Sequence, residues 1–107
     1  MFTLEKNNEK IVFMQREEFI RENISKGFSI ISEILNPKEI NMKMSYNYET
    51  ISYMKNRICN LYFNNPYDLK ILFFDPSGEN TNMVSLCSVE DLYQYHVELK
   101  SIVDYYI

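Results

Sequence analysis

Few residues in this chain could do chemistry, and Asp75 is the best placed of them. It follows the apolar run LKILFF at 69–74. A carboxylate at the end of a buried strand is where α/β phosphotransfer enzymes hold a magnesium ion or a nucleophile. With Glu79 and a magnesium ion, Asp75 would make a small phosphate-ester hydrolase. The residues that follow, Pro76, Ser77 and Gly78, weigh against this. Asp can bond the backbone ahead of it, Pro presets φ at the second turn position, and Gly closes the turn. A second carboxylate two residues on would have favoured catalysis. The turn is the preferred reading of Asp75, and the hydrolase is the alternative.

The remaining candidates are weaker. His96 is the only histidine, and it falls between Tyr95 and Leu99 on the inward or boundary face of a C-terminal helix. No motif places a nucleophile beside it, so a packed, hydrogen-bonded imidazole is expected rather than a base. Cys59 and Cys87 match no metal-ligand spacing. Each lies among apolar residues, which raises a thiol pKa and makes it inert, so both are expected to be reduced and buried, without a disulfide. With 2 Gly in the chain, a phosphate-binding loop is hard to build. The 6 Met are scattered and suit gaps in a core. No catalytic group, metal or cofactor is expected.

Charge is more informative. The formal net charge is −4, but it is unevenly spread. Residues 1–74 hold nine acidic and ten basic side chains, whereas residues 75–107 hold six acidic ones and only Lys100. Glu90 and Asp91 suit the positive end of a helix dipole. Asp75, Glu79, Glu98 and Asp104 have no such explanation. Tyr93, Tyr95, Tyr105 and Tyr106 cannot all point inward from one helix, so some tyrosine should stand beside these carboxylates. Tyrosine is enriched in interfaces because it offers contact area at low entropic cost. The candidate partner-binding residues are therefore Asp75, Glu79, Glu90, Tyr93, Glu98, Asp104 and Tyr105. Such a surface would repel nucleic acid and complement a basic protein surface.

The elements that must position these residues are best read from residues 67–91. The run at 69–74 is taken as the central strand, buried on both faces. After the turn at 75–78, residues 83–87 return as a second strand, and Ser88 with Asp91 forms an approximate capping box for the last helix. Its buried stripe is Leu92, Tyr95, His96, Leu99, Ile102, Val103 and Tyr106. Upstream, residues 1–14 read as a hairpin around Asn7 and Asn8. Residues 15–35 carry Phe19, Ile20, Ile24, Phe28, Ile31, Ile34 and Leu35 at helical spacing. Gly27 inside this helix costs about 1 kcal/mol relative to Ala unless a neighbour needs close approach there. Residues 40–48 alternate as a strand, and the spacing of Ile51, Met54, Ile58, Leu61 and Tyr62 favours a helix over 49–63, although the β-formers at 50–53 could instead extend a hairpin.

The expected order is ββαβαββα: a single α+β domain with one mixed or antiparallel sheet of four to five strands and about three helices. No run approaches the ~18 apolar residues of a membrane span, and the N-terminus lacks a secretory signal, so a cytoplasmic protein is expected. Abundant Asn, Lys, Ile and Tyr suit AT-rich coding, as in a low-GC bacterium or its phages. Together these features favour a small acidic, non-catalytic protein that neutralises a larger partner with a basic surface. A phage anti-defence inhibitor of a nuclease, anti-CRISPR-like, or a toxin-immunity protein would fit. Besides the hydrolase, a small-ligand binder or a homo-oligomer joined through exposed tyrosines is the alternative.

Overall fold

The structure is a computed structural model that describes residues 2–78 and 81–107, with side chains from Arg16 onward. A long helix, α1 (Phe2–Leu35), leads into five strands. These are β1 (Asn41–Met44), β2 (Glu49–Tyr53), β3 (Asn56–Tyr62), β4 (Leu69–Phe74) and β5 (Thr81–Leu86). A 3₁₀ segment, Val89–Tyr95, continues into α2 (His96–Tyr105). The strands form one antiparallel sheet in the order β1-β2-β3-β4-β5, each pairing with the next. The class is α+β, but the order is αβββββα rather than ββαβαββα.

Two differences account for the changed order. The expected hairpin at 1–14 falls on residues 2–14, whose backbone belongs to α1, and on Met1, which lies outside the described residues. Once a helix is nucleated, each added residue gains a hydrogen bond at little further cost, and this outweighs the β preference of Ile11, Val12 and Phe13. The expected helix at 49–63 is instead the β2–β3 hairpin. Met54 and Lys55 make its two-residue turn with φ of 48° and 68°. Positive φ at both central positions matches the twist of the flanking strands, although neither residue is a usual turn former. The register slips between Ile51↔Cys59 and Ser52↔Arg57, which leaves Ile58 as an extra residue in a bulge. Ile58 and Cys59 are consequently both buried. That adjacency breaks the period of two and imitates helical spacing.

Other expectations are corrected in detail. The strand at 40–48 stops at Met44, because Ser45 N–H bonds the Tyr48 carbonyl at 2.9 Å in a turn that leaves Tyr46 exposed. The centre of the sheet is β3. β4 lies next to the edge strand β5 and alternates buried with half-buried positions instead of being buried on both faces. The last helix begins as 3₁₀. Ser88 is its N-cap, and the Asp91 carboxylate accepts N–H bonds from Cys87 at 2.8 Å and Ser88 at 3.3 Å, which satisfies two amides at the helix start. His96 and Phe19 are exposed, as is Cys87, whereas Cys59 is buried; both cysteines are free.

The core lies between the helices and one face of the sheet. Ile51, Cys59, Leu61, Ile71 and Phe73 meet Ile24, Ile31 and Leu35 of α1, Leu92 of the 3₁₀ segment and Leu99, Ile102 and Val103 of α2 in one cluster. Gly27 permits this approach. A Cβ there would stand 2.9 Å from Phe63 Cε2, 3.2 Å from Leu61 Cδ1 and 3.6 Å from Leu92 Cδ1. Glu49 is the anomaly. It shares the inward face with Ile51, is 3 % exposed, and its Oε2 has no hydrogen-bond partner among the described residues. Burial pushes its carboxyl above the ordinary value.

Candidate functional site: an acidic cleft between the β4–β5 turn and α2

The turn after β4 is built as its residue types require. Asp75 Oδ1 accepts the Ser77 N–H at 3.0 Å, and the Asp75 carbonyl accepts the Gly78 N–H at 2.8 Å. Gly78 has φ of 77°, where a side chain would be strained. This fixes Asp75 and Pro76 at one wall of a cleft of about 390 Å³. Phe73, Phe74 and Ile102 supply apolar surface, Asn82 comes from β5, and α2 contributes Glu98, Ser101 and Tyr105. The helix repeat explains that last group, since residues 98, 101, 102 and 105 recur on one face. Tyr105 is 66 % exposed and packs edge to face on Tyr106, with ring centroids 5.3 Å apart. Among the described residues no cationic side chain lines the cleft, although Arg57 stacks on Phe74 and, with Lys55, borders Asp75 from a neighbouring pocket.

Asp75, Glu98 and Tyr105, drawn from two separate stretches of the chain, are therefore brought together. The other candidates are not. Asp104 lies about 120° around α2 from Glu98 by the helical repeat. It borders a smaller cleft with Lys38 and Lys100, where its charge has cationic neighbours. Glu90 pairs with Lys26 of α1, and the hydrogen bond from Lys26 holds its carboxyl below the usual range. Tyr93 donates to Glu33 Oε2 at 2.7 Å, and this bond raises the phenol above its ordinary value. Glu90 and Tyr93 thus tie the 3₁₀ segment to α1, which the local sequence could not reveal because Lys26 and Glu33 lie 64 and 60 residues upstream of them. Glu79 lies outside the described residues.

For chemistry the cleft offers carboxylates, hydroxyls and an amide, suited to receiving an ammonium or guanidinium group whose alkyl stem rests on Phe73, Phe74 and Ile102. Among the described residues no group of three His, Cys, Asp or Glu side chains could share a metal ion. No helix among them is long and apolar enough to cross a membrane.

The opposite face of the sheet holds residues that charge counting along the chain did not single out. The register aligns Lys43, Thr50, Asn60, Leu72 and Met83 in one row across all the strands. Arg57 and Lys70 share that face, in the rows on either side. The signal lay in strand alternation, but the bulge in β3 disguised it.

The fold and the cleft together define an α+β protein whose five-stranded antiparallel meander carries its helices on one face. No protein family, curated protein or solved structure matches the chain.

Proposed function

We propose that this is a small non-catalytic binding protein that neutralises a larger partner by receiving basic side chains of that partner in the acidic cleft. A phage anti-defence inhibitor of a nuclease or a toxin-immunity protein would act in this way. The observation that carries the reading is the convergence of Asp75, Glu98 and Tyr105 at one cleft with an apolar floor and, among the described residues, no lining cation. Complementary charge speeds and orients encounter, while tyrosine and apolar contacts slow dissociation. Asp75 serves better here as a positioned acceptor than as a nucleophile, because one of its oxygens already holds the Ser77 amide.

The test is affinity capture from the native host with mass spectrometry, followed by binding kinetics with the protein recovered. A partner with a basic site that loses affinity for both Glu98→Lys and Tyr105→Ala supports the proposal. A partner that binds both variants as tightly as wild type overturns it.

A further inference from the structure

We infer that the outer face of the sheet, opposite the helices, binds single-stranded nucleic acid. Five strands at a spacing of about 4.8 Å make a platform about 19 Å wide. The helices pack on the face bearing Ile51, Leu61, Ile71 and Phe73, so the strand residues of the other face are half-buried or exposed apart from the central Asn60, which is buried; Met83, for example, is 48 % exposed.

Charge on this platform runs opposite to that of the whole chain. The charged strand residues that face outward are Lys43, Arg57 and Lys70. Glu49, the acid within the strands, is turned to the inner face beside Ile51. Asp68 at the rim pairs with Lys70 at 3.4 Å, and Asp75 borders the end near Arg57. The expected repulsion of nucleic acid came from summing the C-terminal third, but Glu90, Glu98 and Asp104 belong to the helical layer.

Aromatic surface stands between the cations. Tyr62 lies beside Lys70 in the register and against Tyr48, with ring centroids 5.4 Å apart. Phe74 carries the Arg57 guanidinium over its ring at 4.4 Å. A hydrogen-bond chain supports the centre: the Thr50 hydroxyl donates to Asn60 Oδ1 at 2.7 Å, and Asn60 Nδ2 donates to the Tyr62 hydroxyl at 3.4 Å. Rings and guanidinium planes on a sheet, flanked by cations, suit unpaired bases stacked on the surface with phosphates along Lys43, Arg57 and Lys70. A duplex hides its base faces and gains nothing from the rings. This surface shares Phe74 with the cleft but neither Glu98 nor Tyr105, and the cleft contains none of Lys43, Tyr62 and Lys70, so variants at those positions let either proposal fail without the other.

The experiment is fluorescence anisotropy of a labelled oligothymidine with the purified chain. With three phosphates neutralised, log affinity should fall with log salt at a slope of about −2, so a fourfold rise in salt should weaken binding about 16-fold. Lys43→Gln with Lys70→Gln should flatten the slope, whereas Tyr62→Ala should weaken binding roughly tenfold or more at an unchanged slope. Circular dichroism checks folding, and Tyr62→Phe, which keeps the ring, should bind nearly as wild type. No binding at low salt overturns the inference, as does equal binding of duplex, loss in Tyr62→Phe equal to that in Tyr62→Ala, or displacement by polyglutamate as efficient as by unlabelled oligonucleotide.

Discussion

Gly27 of α1 faces the ring of Phe63, and a Cβ at position 27 would come within 2.9 Å of Phe63 Cε2. The missing side chain lets the helix sit close on β3 and the 3₁₀ segment. Phe63 and Leu61 are both fully buried, so neither can move aside without disturbing its neighbours.

Two effects oppose each other in Gly27→Ala. Helix propensity gains about 1 kcal/mol, but overpacking a close-packed core costs roughly 1–3 kcal/mol. Overpacking should win here, because the nearest atom belongs to a buried ring and not to the end of a flexible chain. Chemical denaturation should show Gly27→Ala to be less stable than wild type. Adding Phe63→Leu should return part of the loss relative to the sum of the single changes, through coupling between neighbours.

Phe73 and Phe74 are adjacent on β4 but face opposite ways. Phe73 is buried against Tyr95, with ring centroids 5.5 Å apart, whereas Phe74 is half-buried beneath Arg57. Phe73→Ala should cost ~3–5 kcal/mol. Phe74→Ala should cost clearly less, and equal shifts in the denaturation midpoint would contradict the assigned register.

Glu49 should make the fold weaken as pH rises. Its folded carboxyl is held above the ordinary value of 4.5 by burial, so the native state keeps a proton that the unfolded chain has already released. Stability therefore falls from about the ordinary glutamate value upward and levels off once pH exceeds the folded value. Glu49→Gln removes this slope and should be the more stable protein at neutral pH. Midpoints of both proteins, compared from mildly acidic to neutral pH, check the sign.

Glu98 and Asp104 should behave differently with the captured partner. Glu98 borders the cleft that has no lining cation among the described residues, whereas Asp104 borders one shared with Lys38 and Lys100. Glu98→Lys should slow association severalfold at low salt, and Asp104→Lys should change it little. Added salt should slow wild-type association, because screening weakens the same long-range attraction. Equal slowing by both changes would assign recognition to overall charge instead of to the cleft.

Much that proved local was legible in the sequence alone. The α+β class, the strand at 69–74, the turn at 75–78, the cap at Ser88 and the stripe Leu92, Leu99, Ile102 and Val103 depend on residues within a few positions of one another, and those interactions are encoded by residue type and spacing. The convergence of Asp75, Glu98 and Tyr105 was suggested only as membership of one acidic region; the antiparallel return of β5 and the packing of α2 made it a cleft. Other features needed the tertiary structure from the start. The bulge at Ile58 gave a hairpin strand the look of helical spacing, and only the pairing of β3 with β2 and β4 shows it to be a strand. Glu90 and Tyr93 became ties to Lys26 and Glu33, contacts that exist only once distant segments pack. Separation of charge between the helical layer and the outer sheet face was also decided by folding, since a count along the chain adds residues that the strand register sends to opposite sides.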